Sequence, residues 1–377
     1  MTRPRFVPLQ CAILALALLL AACSHTEPPA EKTSAASLSL WAQESGALTQ
    51  ELERRVERYN AAVPETAVEL RLFSDEQSLA DAMDSARPDL LLCRADHALA
   101  LYGQDRLNLL PSDDAPLPRS SRIFRELSEC VGASYFPLCA DVQLLAADPA
   151  VPGQNDAAVL SSMERLCTAA SESAPDTDIP FFAADSYAAL FAVCLAQSGE
   201  DFHARRSEDI RSEAYRRLYN HLAGAAYNGG LVWEAGDLLP ALLEGRLSCL
   251  LSTATRLAGH GDALLFYPMP VVQGGQKLCL AEIWGVAVTS PFDDSLPGAA
   301  AFLRWLCGGA LDSGWLLERG WLPAAEGPWP EKGGSFVGAL RATADSYSFF
   351  VPALDSGYRL QGAEFEEDFR AALALLR

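Results

Sequence analysis

Apolar positions recur with two different periods along the first hundred folded residues, and the switches between them mark the elements. Leu38 to Trp41 is a short apolar strand, after which Leu48, Leu52, Val56 and Tyr59 recur at helical spacing, with Pro64 just beyond the end. From Val68 to Phe73 the period drops to two, with Val68, Leu70 and Leu72 alternating with Glu69 and Arg71 as a half-buried strand does. A second helix is expected over 76–86. Pro88-Asp89 then introduces Leu90-Leu91-Leu92-Cys93, a continuous apolar run of the kind found in a central parallel strand covered on both faces. The order βαβαβ predicts an α/β fold with right-handed crossovers, whose ligands bind beyond the carboxyl ends of the strands.

Further along, residues 133–147 read as extended chain, and 186–197 and 207–224 as helices, the latter with a charged face. Helical spacing returns at 299–307 and 365–376. The segments 111–122, 171–180 and 290–298 are rich in Pro, Ser and Asp and read as surface connections. No internal repeat is visible.

Ahead of this body, Arg3 and Arg5 precede the apolar run Cys11 to Ala22, which has the length of a secretory core rather than of a membrane span. Residues 1–22 therefore read as a signal peptide. Its ending, Leu20-Ala21-Ala22-Cys23, resembles the lipobox of bacterial lipoproteins, in which the cysteine thiol is acylated and the chain is cut before it. The resemblance implies that Cys23 is the mature N-terminus and carries a fatty acyl chain such as palmitate, holding the protein outside the cytoplasm on a membrane. Residues 23–37, without periodicity, would form a flexible tether of roughly 20 Å.

A net charge of −20 with no basic stripe argues against nucleic acid as a partner. Of ten cysteines, Cys11 lies in the signal and Cys23 at the anchor; the other eight form no CxxC pair, so no metal or thioredoxin-like reading is supported. Several sit in apolar runs and read as buried free thiols. An oxidising envelope would favour pairing instead, and Cys130 with Cys139 is then the disulfide candidate. Five histidines without an HExxH or GxSxG motif, and no singled-out carboxylate pair, point away from an enzyme. No cofactor or metal is called for.

The landmarks taken together resemble extracellular solute-binding protein family 1, the maltose-binding-protein-like receptors of ABC importers. The parts that carry the likeness are Leu38-Ser39-Leu40-Trp41, Val56-Glu57-Arg58-Tyr59-Asn60, Pro88-Asp89-Leu90-Leu91, Phe136 to Asp141, and Leu243-Glu244-Gly245-Arg246. To these are added Trp284-Gly285-Val286-Ala287-Val288 with the helix after it, and the turn Gly320-Trp321-Leu322-Pro323-Ala324. The resemblance implies a two-lobed periplasmic-binding-protein-like fold of type II, each lobe a mostly parallel sheet flanked by helices, joined by crossing hinge strands. It places 38–139 plus 285–325 in the first lobe and 140–284 plus 326–377 in the second. It further implies a monomer that closes on a small polar solute, a sugar or oligosaccharide above all, and delivers it to permease subunits.

Within that frame the strand ends nominate ligand residues. Trp41 ends the first strand and would stack on a sugar, or pack in the core. Asp96 follows the third strand and would accept hydrogen bonds, or cap a helix. Asp141 sits at the first crossover, against the alternative of a solvated loop charge. Tyr187 and Trp233 occupy family-like contact positions in the second lobe, with plain packing as the alternative. Glu282 and Trp284, two apart on the second hinge strand, share a face. Where the family commonly has a tryptophan, this chain has Ser252-Thr253-Ala254-Thr255-Arg256, which weakens simple sugar stacking. Thr255 remains a candidate there, and Arg256 is a candidate for an anionic group or for a surface ion pair. A polyamine, met by Asp96, Asp141 and Glu282, an anionic solute, a peptide, or a sensory or structural lipoprotein of the same fold are the competing readings.

Overall fold

The computed structural model describes residues 36–110, 134–150, 157–177, 179–199, 213–233, 236–290, 293–310, 313–325, 327–330, 333–351 and 365–372. The signal segment, Cys23, Cys130 and the 111–122 connection lie outside them, as does nearly all of the tether.

The opening βαβαβ unit is present as expected. β1 (Ala36–Gln43) is followed by α1 (Ala47–Ala62), β2 (Thr66–Phe73), α2 (Glu76–Ser85), β3 (Leu90–Arg94) and α3 (Ala95–Gly103). β1 lies between β2 and β3 and is parallel to both. Leu48, Leu52, Val56 and Tyr59 are all buried on one side of α1, which is why their spacing dictated a helix. The α1–β2 joint is closed by Asn60, whose amide nitrogen donates to the Val68 carbonyl at 2.9 Å and whose oxygen accepts from the Val68 N–H at 2.8 Å. Asp89, just before β3, accepts from the Ser39 N–H and hydroxyl of β1, at 2.8 and 2.9 Å, and from Ser290 Oγ at 3.0 Å.

Two long strands then run through the molecule. β4 (Tyr135–Ala147) is buried over its whole length, and β9 (Leu278–Val288) pairs with it antiparallel. The latter pairs also with β3, so the strand order is β2-β1-β3-β9-β4, continued by β7 (Cys249–Thr253), β5 (Phe182–Ala184) and β6 (Leu231–Val232). Gly285 is required where they cross, because a Cβ there would lie 2.5 Å from the Phe136 carbonyl oxygen.

The second half supplies α4 (Ala157–Leu160), α5 (Met163–Thr177), β5 (Phe182–Ala184), α6 (Tyr187–Gln197), α7 (Glu213–Tyr227), β6 (Leu231–Val232), α8 (Leu239–Leu243), β7 (Cys249–Thr253), α9 (Ala254–Leu257) and β8 (Leu265–Pro268). β5 is parallel to β6 and β7, whereas β7 and β8 are antiparallel to β4. After β9 come a 3-10 turn (Asp293–Ser295), α10 (Leu296–Trp305), a π-helical turn (Leu306–Ala310), α11 (Ser313–Glu318), β10 (Trp321–Pro323), α12 (Gly334–Ser346) and β11 (Ser348–Phe350). Residues 365–372 are again helical.

Two surface connections expected from composition are partly helix. α5 continues to Thr177, into the expected 171–180 loop, and α10 begins at Leu296, inside the expected 290–298 loop. In α10 Pro297 stands in the first turn, where its missing N–H costs nothing. The sheet of the first half is covered on both faces, by α1 and α10 on one side and by α2 and α3 on the other. Cys93, Cys139, Cys167, Cys194, Cys249, Cys279 and Cys307 are free and buried. Burial pushes the Cys167, Cys249, Cys279 and Cys307 thiols up to about 12. Cys139 is thus a core thiol; its expected partner lies outside the described residues.

Candidate functional site

A cavity of about 200 Å³ opens at the carboxyl ends of β1 and β3, the place that a parallel sheet reserves for ligands. Gln43, Glu44 and Ser45 form one wall where β1 ends, and Cys93 and Arg94 another where β3 ends. Glu76 and Leu79 from the first turn of α2 and His97 from α3 line it as well. Trp284 enters from β9, because the register sets it beside Arg94 on one flank and Cys139 on the other.

Of the residues read from the sequence, Trp284 is the one that lines this cavity. Glu282 lies two residues along β9 on the same face and is exposed in a strand otherwise buried or half-buried. It lies opposite Asp141 of β4, so the crossing strands bring both carboxylates together. Asp141 is buried rather than a solvated loop charge. Its Oδ1 accepts from the Thr255 N–H at 3.1 Å, and its Oδ2 from the Thr255 hydroxyl. Burial pushes its carboxyl up to about 7, against the pull of the Thr255 hydrogen bonds and with a further push from Glu282.

Asp96 does not cap α3, since Arg94 occupies the cap position; it stands in the first turn and binds Arg94 at 3.0 Å. Burial pulls the Arg94 guanidinium down, but Asp96, Glu282 and Glu76 outweigh it and leave the net shift upward. Burial also lowers His97, which is therefore neutral at neutral pH.

Four other candidates are engaged elsewhere. Trp41 is 8% exposed, packed at a tilt against Phe73 with ring centroids 5.2 Å apart and the Arg71 guanidinium over it, and does not line the cavity. Its strand runs on to Gln43, so the true strand end lies two residues beyond the tryptophan. Tyr187 stacks on Trp233 at 4.2 Å and donates to the Val232 carbonyl at 2.8 Å. Trp233 packs in turn on Phe369 at 4.3 Å, so both rings serve packing of the second half. Arg256 has its two terminal nitrogens taken by Asp185 and Asp237. Gln43, Glu44, Ser45, Glu76, Arg94 and His97 were not singled out beforehand. The rule that found the cavity also names them, once the strand end is placed at Gln43 rather than Trp41.

No family model matches the sequence, and no curated protein matches it. Solved structures do match in fold. The cyclic α-maltosyl-1,6-maltose binding protein of Arthrobacter globiformis superposes with a TM-score of 0.71 at 15% identity, over 89% of this chain and 94% of that one. The GacH receptor of Streptomyces glaucescens, solved unliganded and with acarbose, gives 0.66 at 16% identity over 89% and 94%. The solute receptor AcbH, described as preferring β-D-galactopyranose exclusively, gives 0.68 at 13% identity over 90% and 100%. The fold is therefore that of the two-lobed solute-binding proteins. These neighbours are described as a binding protein and as receptors, and no helix among the described residues is long and apolar enough to cross a membrane.

Proposed function

We propose that this chain is the extracytoplasmic solute-binding subunit of an ABC-type importer, capturing a sugar or oligosaccharide by hinge closure and handing it to permease subunits. The observation that carries the reading is the cavity at the ends of β1 and β3, walled by Trp284 from a strand that runs on into the second half. A ligand held there touches the first lobe, and Glu282 and Asp141 at the crossing bring groups of the connecting strands to the same region. We take residues 38–139 plus 285–325 and 140–284 plus 326–377 as the two lobes, which move as bodies about β4 and β9. Cys23 is taken as the lipidated mature N-terminus of a monomer.

The energetics are adequate without metal or covalent chemistry. Hydrogen bonds to charged groups contribute about 1.5–3 kcal/mol each, and micromolar affinity needs about 8 kcal/mol. The test is a thermal-shift and fluorescence screen against neutral sugars, uronic acids, polyamines and short peptides. A sugar should raise the melting temperature and change tryptophan emission, and Trp284→Ala should weaken that sugar about tenfold or more without unfolding the protein. Unchanged affinity in the variant would return Trp284 to packing, and silence from every sugar would sink the reading. For the anchor, Cys23→Ser should release the protein from membranes.

A further inference from the structure

We propose that Asp141 is a proton-linked switch in the hinge: it keeps a proton while the two halves are closed and releases it as they open, so that acid favours the closed form and with it the capture of solute. The proposal rests on the two-lobed reading above and adds a control to it. Under that reading β10 belongs to the first lobe and α9 to the second, and both meet at Asp141. The residue stands on β4 between Trp321 of β10 and Glu282 of β9. Thr255, in the first turn of α9, donates its N–H to Oδ1 at 3.1 Å and its hydroxyl to Oδ2. The turn before β10 lies on the same stretch of α9, because a Cβ on Gly320 would fall 2.6 Å from the Thr255 nitrogen. The seam between the lobes thus passes through one carboxyl group.

Its surroundings favour the neutral acid. Among the described residues neither Asp141 nor Glu282 makes an ion pair. Arg94 lies within reach of the Glu282 charge but is bound to Asp96 at 3.0 Å, and Arg256, next to Thr255, is held by Asp185 and Asp237. The titratable groups around Asp141 are Glu282 from β9 and the buried thiols of Cys139 and Cys279, which stay protonated. Gln143, two residues along on the same face of β4, adds an amide oxygen that is buried without a hydrogen-bond partner. A carboxylate out of water, opposite a second carboxylate and in a place short of donors, is disfavoured against its protonated form. The hydrogen bonds from Thr255 pull the other way without prevailing, and the carboxyl is pushed up to about 7. At 7% exposed, Asp141 has little further burial to undergo, so the motion that changes its surroundings is opening, which admits water to the pair. Opening therefore releases a proton between the lower pKa of the open form and about pH 7, and the closed form loses ground over that span and no further above it.

The experiment follows the purified protein from about pH 5 to about pH 8.5 at constant ionic strength. Small-angle X-ray scattering of the free protein should give a radius of gyration that grows up to about pH 7 and then stays level. Calorimetry with maltotriose should give an affinity that falls at least about tenfold over the same span. Binding near about pH 6 should take up a proton, read from buffers of different ionisation heat, and binding at about pH 8.5 should take up none. Asp141→Asn should remove the pH dependence of radius and affinity alike. Thr255→Val, which takes away a donor to the charged form, should move the levelling point to higher pH. A wild-type radius that does not change with pH overturns the switch whatever binds, and a change that persists in Asp141→Asn overturns its assignment to that residue. Maltotriose bound with one affinity at every pH overturns the switch and leaves the sugar-binding reading standing. A pH-dependent radius that Asp141→Asn abolishes, with no sugar of the screen above binding, upholds the switch and sinks the sugar reading.

Discussion

Asp141 shows how a single residue can hold two roles that oppose each other. Its hydrogen bonds to Thr255 tie the crossing strand β4 to the start of α9, yet its burial makes the charged form expensive. The folded protein holds a proton up to about pH 7 that the unfolded chain releases near its ordinary value of 3.8. The contribution to stability is therefore complete below about pH 4 and is lost as pH rises through 7, by up to about 4 kcal/mol. Asp141→Asn keeps an acceptor for the Thr255 N–H and removes the titration. Urea melts of the two proteins should run together below about pH 4 and diverge, with the variant gaining, up to pH 7; a pH-independent difference would place the titration elsewhere. Asn60 is the simpler case, since Asn60→Ala abandons the N–H and the carbonyl of Val68 together. Two such hydrogen bonds set the expected loss at about 1–3 kcal/mol in a denaturation midpoint.

Among the elements, the turn before β10 has the strictest demand. Gly320 has φ +80°, and a Cβ there would meet the Ala254 carbonyl oxygen at 2.3 Å, so the turn lies directly on the backbone that opens α9. Neither the left-handed backbone nor the contact tolerates a side chain. Gly320→Ala should cost upward of about 2 kcal/mol and loosen the pairing of Trp321 with Asp141, which hydrogen exchange of β10 amides would register as faster exchange. The conformations of α1 and β2 were legible in advance because each writes its burial pattern into its own periodicity, and that of β3 because a continuous apolar run marks a strand covered on both faces. The ends of elements were less so. β1 continues past Trp41 because Ala42 and Gln43 still pair with Leu72 and Phe73 of β2, a contact made by residues some thirty positions away. α5 continues through the Ser- and Glu-containing stretch that composition had marked as a loop.

Over the whole molecule, the seven described cysteines make a direct test of the packing. All are buried and their thiols are held protonated, so a disulfide reagent should leave these seven unmodified in the native protein and reach them only on unfolding. Reaction of Cys93, which touches the cavity, ahead of the rest would show that the β3 end opens independently, and bound ligand should then slow it. Ligand at a hundred times its dissociation constant should add about 2.7 kcal/mol to the stability of the folded state. By itself the sequence determined the α/β class, the leading βαβαβ unit and the shared face of Glu282 and Trp284, because periodicities of 3.6 and 2 are local consequences of backbone geometry. Only the tertiary structure decided which polar residues converge. Asp141 meets Thr255 and Glu282, Arg256 is spent on Asp185 and Asp237, and Glu44, Glu76 and Trp284 gather around one cavity, across separations that strand register fixes and no local pattern encodes.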